Sequence, residues 1–385
     1  MRRPLFVERQ PGTHPEALPD HDRPQPRHPW WYLPLVLLLA LALFAGVGIV
    51  NRRLNPLVYD QDHIGTVAAA LVGGKNYANY DTNINWRALR REQIKRLPTA
   101  PDVIVFGGSR WWEATSELLP GQDFFNAWVS NDQAEDAMAL TYLLEQADRL
   151  PDTLILSLRF ISFQPPDERQ FAEWQEWAPE YRAMAERLGI PAHSYLTTFP
   201  AEKLTGMFYA PEVLDRAYQV GQASETPGIT TDLQRQSLEV IASDGSIRWS
   251  RDSEARFTKQ FVDDAVQDEL DRVGQSAPRI DRSLVSAMAA TITYLQEQGV
   301  RVVVAQTPYH PDFYREIQQR PFGQTLNDLE LVAEDMNRRL GVTAVGSYDP
   351  AEVGCTAAEF IDHIHARSSC VGQVLQLIPD LGPES

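Results

Sequence analysis

The stretch PDVIVFGGSRWWEA, Pro101 to Ala114, decides how the chain is read. Val103 to Phe106 is a short apolar run bounded by glycine, the pattern of a buried strand. It runs into Gly107-Gly108 and delivers Ser109, Arg110, Trp111 and Trp112 at its carboxyl end. A glycine pair there has an ordinary reading as a turn. The other reading is chemical. In an open α/β sheet, ligands bind beyond the carboxyl ends of the strands, which is where Ser109 would stand.

Working outward, strand-like and helical patterns alternate. DFFNAWVS, DTLILSLRF, VRVVVAQTP and VTAVGSYD read as strands. AEDAMALTYLLEQADRL, RSLVSAMAATITYLQEQG and LNDLELVAEDMNRRLG have the apolar spacing of helices, the last two with glycine stops. This alternation predicts an α/β fold, a mostly parallel sheet with helices on both faces. Between Phe163 and about Arg279 the pattern breaks, with Trp174, Trp177, helical fragments and a turn signal in ASDGSIRW. So long a connection is expected to be structured, as a mostly helical lid or cap inserted at about 164–279.

Upstream, residues 1–29 are rich in Pro, Arg, His and Asp and are expected to be a disordered tail. Trp30 to Val50 is an uncharged run of membrane-spanning length, with Trp30, Trp31 and Tyr32 at headgroup level. A long tail precedes it and no small-x-small cleavage site stands before Asn51-Arg52-Arg53, so it reads as an uncleaved anchor. Arg2, Arg3, Arg9, Arg23 and Arg27 outnumber Arg52 and Arg53, which points to a cytoplasmic tail and an exported main domain. Residues 51–100 read as a juxtamembrane connection with a helical piece near NWRALRREQIKRL, followed by the main domain, 101–385. A net charge of -17 argues against electrostatic binding of nucleic acid. Cys355 and Cys370 are the only cysteines, read either as a disulfide of an exported domain or as two buried thiols.

A serine hydroxyl is a weak nucleophile until a base takes its proton, and the base is usually a histidine held by a carboxylate. Of the 8 histidines, His14, His21 and His28 lie in the tail, His63 just past the anchor and His193 in the insertion. That leaves His310 in TPYHP and the pair in FIDHIHARSSCVG. Asp362-x-x-His365 can turn a carboxylate and an imidazole into one site. The same spacing also caps helices or binds a metal, but no cysteine or carboxylate cluster beyond Asp362 accompanies it. No metal and no cofactor is expected.

Together these segments resemble the SGNH or GDSL hydrolase superfamily over about 101–378, less the insertion. Gly107-Gly108-Ser109 matches the Gly-Asp-Ser block, Asn126 to Asp132 (NAWVSND) the second block, and Asp362-x-x-His365 the last. The resemblance implies a three-layer, flavodoxin-like α/β domain with Ser109 as nucleophile, His365 as general base and Asp362 as its orienting carboxylate. The chain departs from the pattern at Gly108, at Asn131 in place of the oxyanion glycine, and at SLRF, where Arg159 stands near a missing asparagine. Substitute oxyanion donors are the backbone N–H groups of Ser109 and Asn131, the Asn131 amide and the Arg159 guanidinium. Arg159 has a second reading as an ion pair to the acidic insertion. Arg110 either holds a substrate anion or pairs with Glu113. His310 either contacts substrate or is a surface-loop residue, and Trp111, Trp112 and Trp128 either stack on sugar rings or belong to the core.

The Gly-x-Ser-Arg variant looks like the membrane-anchored branch that includes alginate O-acetylation proteins and the D-alanine transfer protein of lipoteichoic acid synthesis. That likeness implies acyl transfer or ester hydrolysis on an envelope or secreted glycan, beside a membrane-bound O-acyltransferase partner. The competing expectation is a non-catalytic SGNH-like envelope protein that binds a glycan or a membrane partner.

Overall fold

The computed structural model describes residues 30–80, 84–165, 173–192, 225–273 and 277–381, with the isolated positions 168, 208, 214, 217 and 218. The expected disordered tail, residues 1–29, lies outside the described residues, as does His193. The chain divides into two units, Met1–Gly46 and Val47–Ser385. The helix Tyr32–Leu54 is long and apolar enough to cross a membrane, and Leu33, Leu38 and Leu43 along it are exposed. It outruns the apolar stretch, so Arg52 and Arg53 occupy its last turn, where cations suit the helix dipole.

The second unit carries the strands β1 (Asn76–Asn79), β2 (Val103–Phe106), β3 (Phe124–Asn126), β4 (Thr153–Ser157), β5 (Gly228–Thr230), β6 (Glu239–Ile241), β7 (Ile247–Arg248), β8 (Arg301–Gln306) and β9 (Thr343–Gly346). Five of them form a parallel sheet in the order β3-β2-β4-β8-β9. Ile104 of β2 sits between Phe125 and Leu154, so β2 has a neighbour on each side. β2 and β4 are buried along their whole length, which is why they read as unbroken apolar runs rather than alternating ones.

The helices Ala134–Gln146, Arg282–Glu297 and Pro321–Leu340 fall where the apolar spacing predicts them. The third begins before its periodic residues, because Pro321 takes a first-turn position where its missing N–H costs no hydrogen bond.

The remaining strands form an antiparallel sheet in the order β5-β1-β6-β7. Here the segment 51–100 proves more than a connection. Its Tyr77 pairs with Ile229 on one side and Ile241 on the other. The helix Gln61–Val72 buries Ile64, Val67 and Leu71, and Trp86–Ile94 buries Arg87 and Arg90 as well as Leu89. The insertion likewise supplies β5 to β7 beside its helices Ala178–Leu188, Arg251–Arg256 and Lys259–Arg272. Strands of two or three residues carry too short a pattern to announce themselves, and here β5 and β6 pair with β1 while β7 pairs with β6.

The β6–β7 turn fixes this sheet onto the main one. Gly245 has φ 89°, and a Cβ there would collide with Asn126 O and lie 2.9 Å from Arg90 Nη1. Gly245 O instead accepts from Arg90 Nη2 at 2.7 Å, and Asn126 N–H donates to Asp244 O at 2.7 Å. The insertion is thereby anchored at the end of β3, at Asn126, the first residue of NAWVSND.

Cys355 and Cys370 are bonded, with S–S 2.05 Å and Cα atoms 5.4 Å apart. The loop they close contains Asp362 and His365. Closing a loop of this size is worth roughly 3 kcal/mol against the unfolded chain. Reduction is therefore expected to lower the melting temperature by several degrees. Melting curves with and without reductant check this, and coincident curves would contradict it.

Candidate active site

Ser109 opens a short 3-10 turn, Ser109–Trp111, at the carboxyl end of β2. The two glycines before it are required by close approach. A Cβ on Gly107 would collide with Ser157 Cβ and come within 2.7 Å of Trp111 Cδ1. A Cβ on Gly108 would collide with the Arg159 guanidinium and lie 2.5 Å from Asp132 Oδ1. The turn is held from the next strand, where Asn126 Nδ2 donates to Trp111 O at 2.6 Å and Ala114 O at 2.9 Å. Gly107→Ala is expected to displace the serine turn and destabilise the domain by roughly 1–3 kcal/mol, the usual cost of overpacking a core. Thermal melts check this, and a melting point equal to the parent's would refute it.

His365 lies far along the chain from Ser109, yet its Nε2 is 2.8 Å from Ser109 Oγ. Its Nδ1 is 2.5 Å from Asp362 Oδ2. The other carboxylate oxygen, Oδ1, accepts the backbone N–H groups of Ile364 and His365, both at 2.8 Å. An ionised carboxylate only accepts, so Nδ1 carries the ring proton and Nε2 is left to accept from the serine hydroxyl. Burial alone would push the Asp362 carboxyl up. The electrostatic interaction and hydrogen bond with His365, the nearby His363 and the Ile364 N–H outweigh that and hold it well below the usual carboxylate range.

The tryptophans after Ser109 complete the setting. Trp111 is fully buried and belongs to the core. Trp112 lies against the imidazole, its ring centroid 4.1 Å from that of His365 at 26°. Edge-on contacts continue from Trp112 to Trp128 and to Trp249, and from Trp249 to Phe257. Trp128 is core. Glu113 is buried and accepts Trp249 Nε1–H at 2.7 Å and Ser368 N–H at 2.8 Å. It therefore ties the serine turn both to the insertion and to the helix Ser368–Gln376 that follows His365.

The other expected site residues have different surroundings. Arg110 does not pair with Glu113. It is 3% exposed, donates to Thr307 O at 2.9 Å and stacks over Tyr309 at 3.8 Å, because Glu113 is already engaged by its own donors. Arg159 does not reach the acidic insertion. Its Nη2 is 2.8 Å from Asp132 Oδ1, in a buried ion pair that occupies the space left by Gly108. The angles are not those of a hydrogen bond, so Arg159 Nε and Nη2 and Asp132 Oδ1 have no hydrogen-bond partner among the described residues. The ionic contact at 2.8 Å is nonetheless close enough for the two charges to compensate each other.

Asn131 has φ 47°, the left-handed conformation that asparagine tolerates best after glycine. Its Nδ2 donates to Glu173 Oε1 at 3.3 Å, away from a free role. Glu173 also accepts from Arg87 Nη1 at 3.0 Å and from the Ser130 hydroxyl. No sequence signal marked Glu173 or Arg87. Among the described residues, no hydrogen bond engages the backbone N–H of Ser109 or of Asn131.

His310 is neither on the surface nor in a loose loop. It is 2% exposed and caps the helix Pro311–Ile317, its Nδ1 accepting Asp312 N–H at 3.2 Å. His363, between the two triad members, packs 5.1 Å from the Phe313 ring, with Nε2 4.0 Å from Glu269 Oε1. Burial pushes its ring down to about 4 from 6.5, although Asp362 opposes the shift. Between those values the unfolded chain holds a proton that the folded one does not, so stability falls as pH drops from about 6.5 toward 4. His310, also shifted down by burial, acts in the same direction. Melting points at pH 7 and pH 5 should show the loss, and His363→Gln should reduce it. An unchanged pH slope in that variant would rule this account out.

The fold and site thus define an α/β protein with a hydrogen-bonded Ser109–His365–Asp362 arrangement at the carboxyl edge of a parallel sheet. Compared with known proteins, the chain matches no family model and no curated protein.

Proposed function

We propose that this protein is a membrane-anchored, exported member of the SGNH hydrolase superfamily that moves an acyl group, acetyl in the simplest case, on or off a glycan hydroxyl. The observation that carries the reading is the contact of His365 Nε2 with Ser109 Oγ at 2.8 Å, with Asp362 fixing the opposite nitrogen. The parallel sheet with Ser109 at the end of β2 supports a three-layer SGNH arrangement. The apolar helix Tyr32–Leu54 supports single-span anchoring, and the arginines of the preceding tail support export of the domain. A disulfide agrees with an oxidising compartment.

In this reading Ser109 Oγ attacks the acyl carbonyl as its proton passes to His365 Nε2. Charge builds on the carbonyl oxygen, where the unengaged N–H groups of Ser109 and Asn131 are suited to receive it. The ester C–O bond then breaks, and the leaving alcohol takes the proton from His365. A second alcohol, or water, repeats the sequence in reverse and frees Ser109. Arg159 and Asp132, paired beside Gly108, back this turn as a charge-compensated pair.

The test is to give the full chain in nanodiscs an activated acetyl ester and follow acetyl on the protein by intact mass. A gain of one acetyl group on wild type, absent from Ser109→Ala, supports acyl transfer. A glycan acceptor that clears it faster than water identifies a transferase. Failure to acetylate a demonstrably folded protein would favour the binding-only reading.

A further inference from the structure

Ser109 and Trp112 are the two ends of one tight turn. Trp112 N–H donates to Ser109 O at 3.1 Å, which closes the 3-10 turn Ser109–Trp111. In that geometry side chains three residues apart lie one over the other. The serine and the tryptophan are therefore presented to the same side, while Trp111 between them is buried in the core. His365 meets both. Its Nε2 is 2.8 Å from Ser109 Oγ, and its ring centroid is 4.1 Å from that of Trp112 with the planes only 26° apart.

Trp112 is itself held from the insertion. Its carbonyl accepts Ile247 N–H of β7 at 2.7 Å, and Trp249 meets its ring edge-on at 4.7 Å. Trp249 is fixed in turn by Glu113, the residue after Trp112, which accepts its Nε1–H at 2.7 Å. The backbone and the ring of Trp112 thus both lean on the short stretch Ile247 to Trp249.

A histidine ring turns easily about its last torsion, which has no sharp staggered wells. The hydrogen bonds at Nδ1 and Nε2 fix it within its own plane. The second of these is consumed when Ser109 is acylated, because an ester oxygen has no proton to give. The flat indole resists tilting of the ring throughout. Its face also carries the negative side of the aromatic quadrupole, which attracts an imidazolium more strongly than a neutral imidazole. An interaction that strengthens as Nε2 takes the serine's proton lowers the barrier to the reaction and not only the energy of the resting state.

We propose that Trp112 is a positioning residue for His365, holding the imidazole between Ser109 and Asp362 and steadying its cation, and that the insertion serves the site by bracing Trp112. This rests on the reading of Ser109 as the acyl acceptor, but the hold on the ring does not require Ser109 to react.

The test compares the full chain in nanodiscs with Trp112→Phe and Trp112→Leu. Both variants lose packing volume and should melt below wild type, but only the first keeps a ring face for the imidazole. With an activated acetyl ester, Trp112→Leu should lower the limiting rate of Ser109 acylation by about tenfold, while the ester concentration giving half that rate stays unchanged. Trp112→Phe should recover most of the rate. A second readout needs no turnover. The low-field proton resonance of the Nδ1–H···Asp362 bond should be sharp in wild type and in Trp112→Phe, and broadened or absent in Trp112→Leu. Wild-type acylation in Trp112→Leu, equal loss in the two folded variants, or a resonance absent from wild type or indifferent to the substitution would overturn the inference. A resonance that behaves as expected in a wild-type protein that takes no acetyl would remove the acyl reading and leave the brace on His365.

Discussion

His365→Ala is expected to slow acylation of Ser109 by an activated acetyl ester on the order of 10⁶-fold, the scale seen when a triad base is removed. The reason is geometric. His365 Nε2 is the group 2.8 Å from Ser109 Oγ, and no other histidine of the described residues is placed against that oxygen. Asp362→Asn should retain more activity. An amide at 362 can still accept from the backbone N–H groups of Ile364 and His365, but it no longer fixes the protonated Nδ1. Loss of the orienting carboxylate costs on the order of 10⁴-fold. Pre-steady-state acylation rates of the two variants check this order. If His365→Ala reacts as fast as wild type, the serine is not activated by this ring.

Arg87→Ala is expected to be the most destabilising single change, by roughly 3–5 kcal/mol, the cost of leaving a buried charge without its partner. Arg87 and Asp136 are almost fully buried and joined by two hydrogen bonds, both at 2.7 Å. Asp136 also closes the capping box at the start of the helix Ala134–Gln146 by accepting Gln133 N–H. Arg87 further donates to Ser130 O and Glu173, so its loss also loosens the turn that carries Asn131. Denaturant unfolding measures the effect, and a change under about 1 kcal/mol, the scale of an exposed pair, would show that the pair does not behave as buried. Arg87→Met with Asp136→Leu should recover much of the loss, since well-packed apolar replacement of a buried pair is often neutral.

How much of this was legible in the sequence follows from which interactions are local. β2, β4 and β8 were readable because a strand covered on both faces is an unbroken apolar run. The serine, histidine and aspartate were readable because each sits in a short block with its own spacing. The partners of Arg110 and Arg159 were not readable. Charge alone pointed Arg110 to Glu113, three residues away, but hydrogen bonds from Trp249 and Ser368 already engage that carboxylate. Arg159 went to Asp132 because Gly108 leaves a gap only the folded strands reveal. Tyr77 gave no sign of being a strand residue, since its pairing partners, Ile229 and Ile241, lie in the insertion. Trp112 was visible as an aromatic near the serine, while its stack on His365 depends on a loop fixed by the Cys355–Cys370 bond.

The most direct measurement is the intact mass of the full chain after exposure to a fluorophosphonate probe, alongside Ser109→Ala and His365→Ala. The account predicts one adduct on wild type and none on either variant within the same time. A folded wild-type protein that takes no adduct, or an adduct that persists in Ser109→Ala, would contradict it.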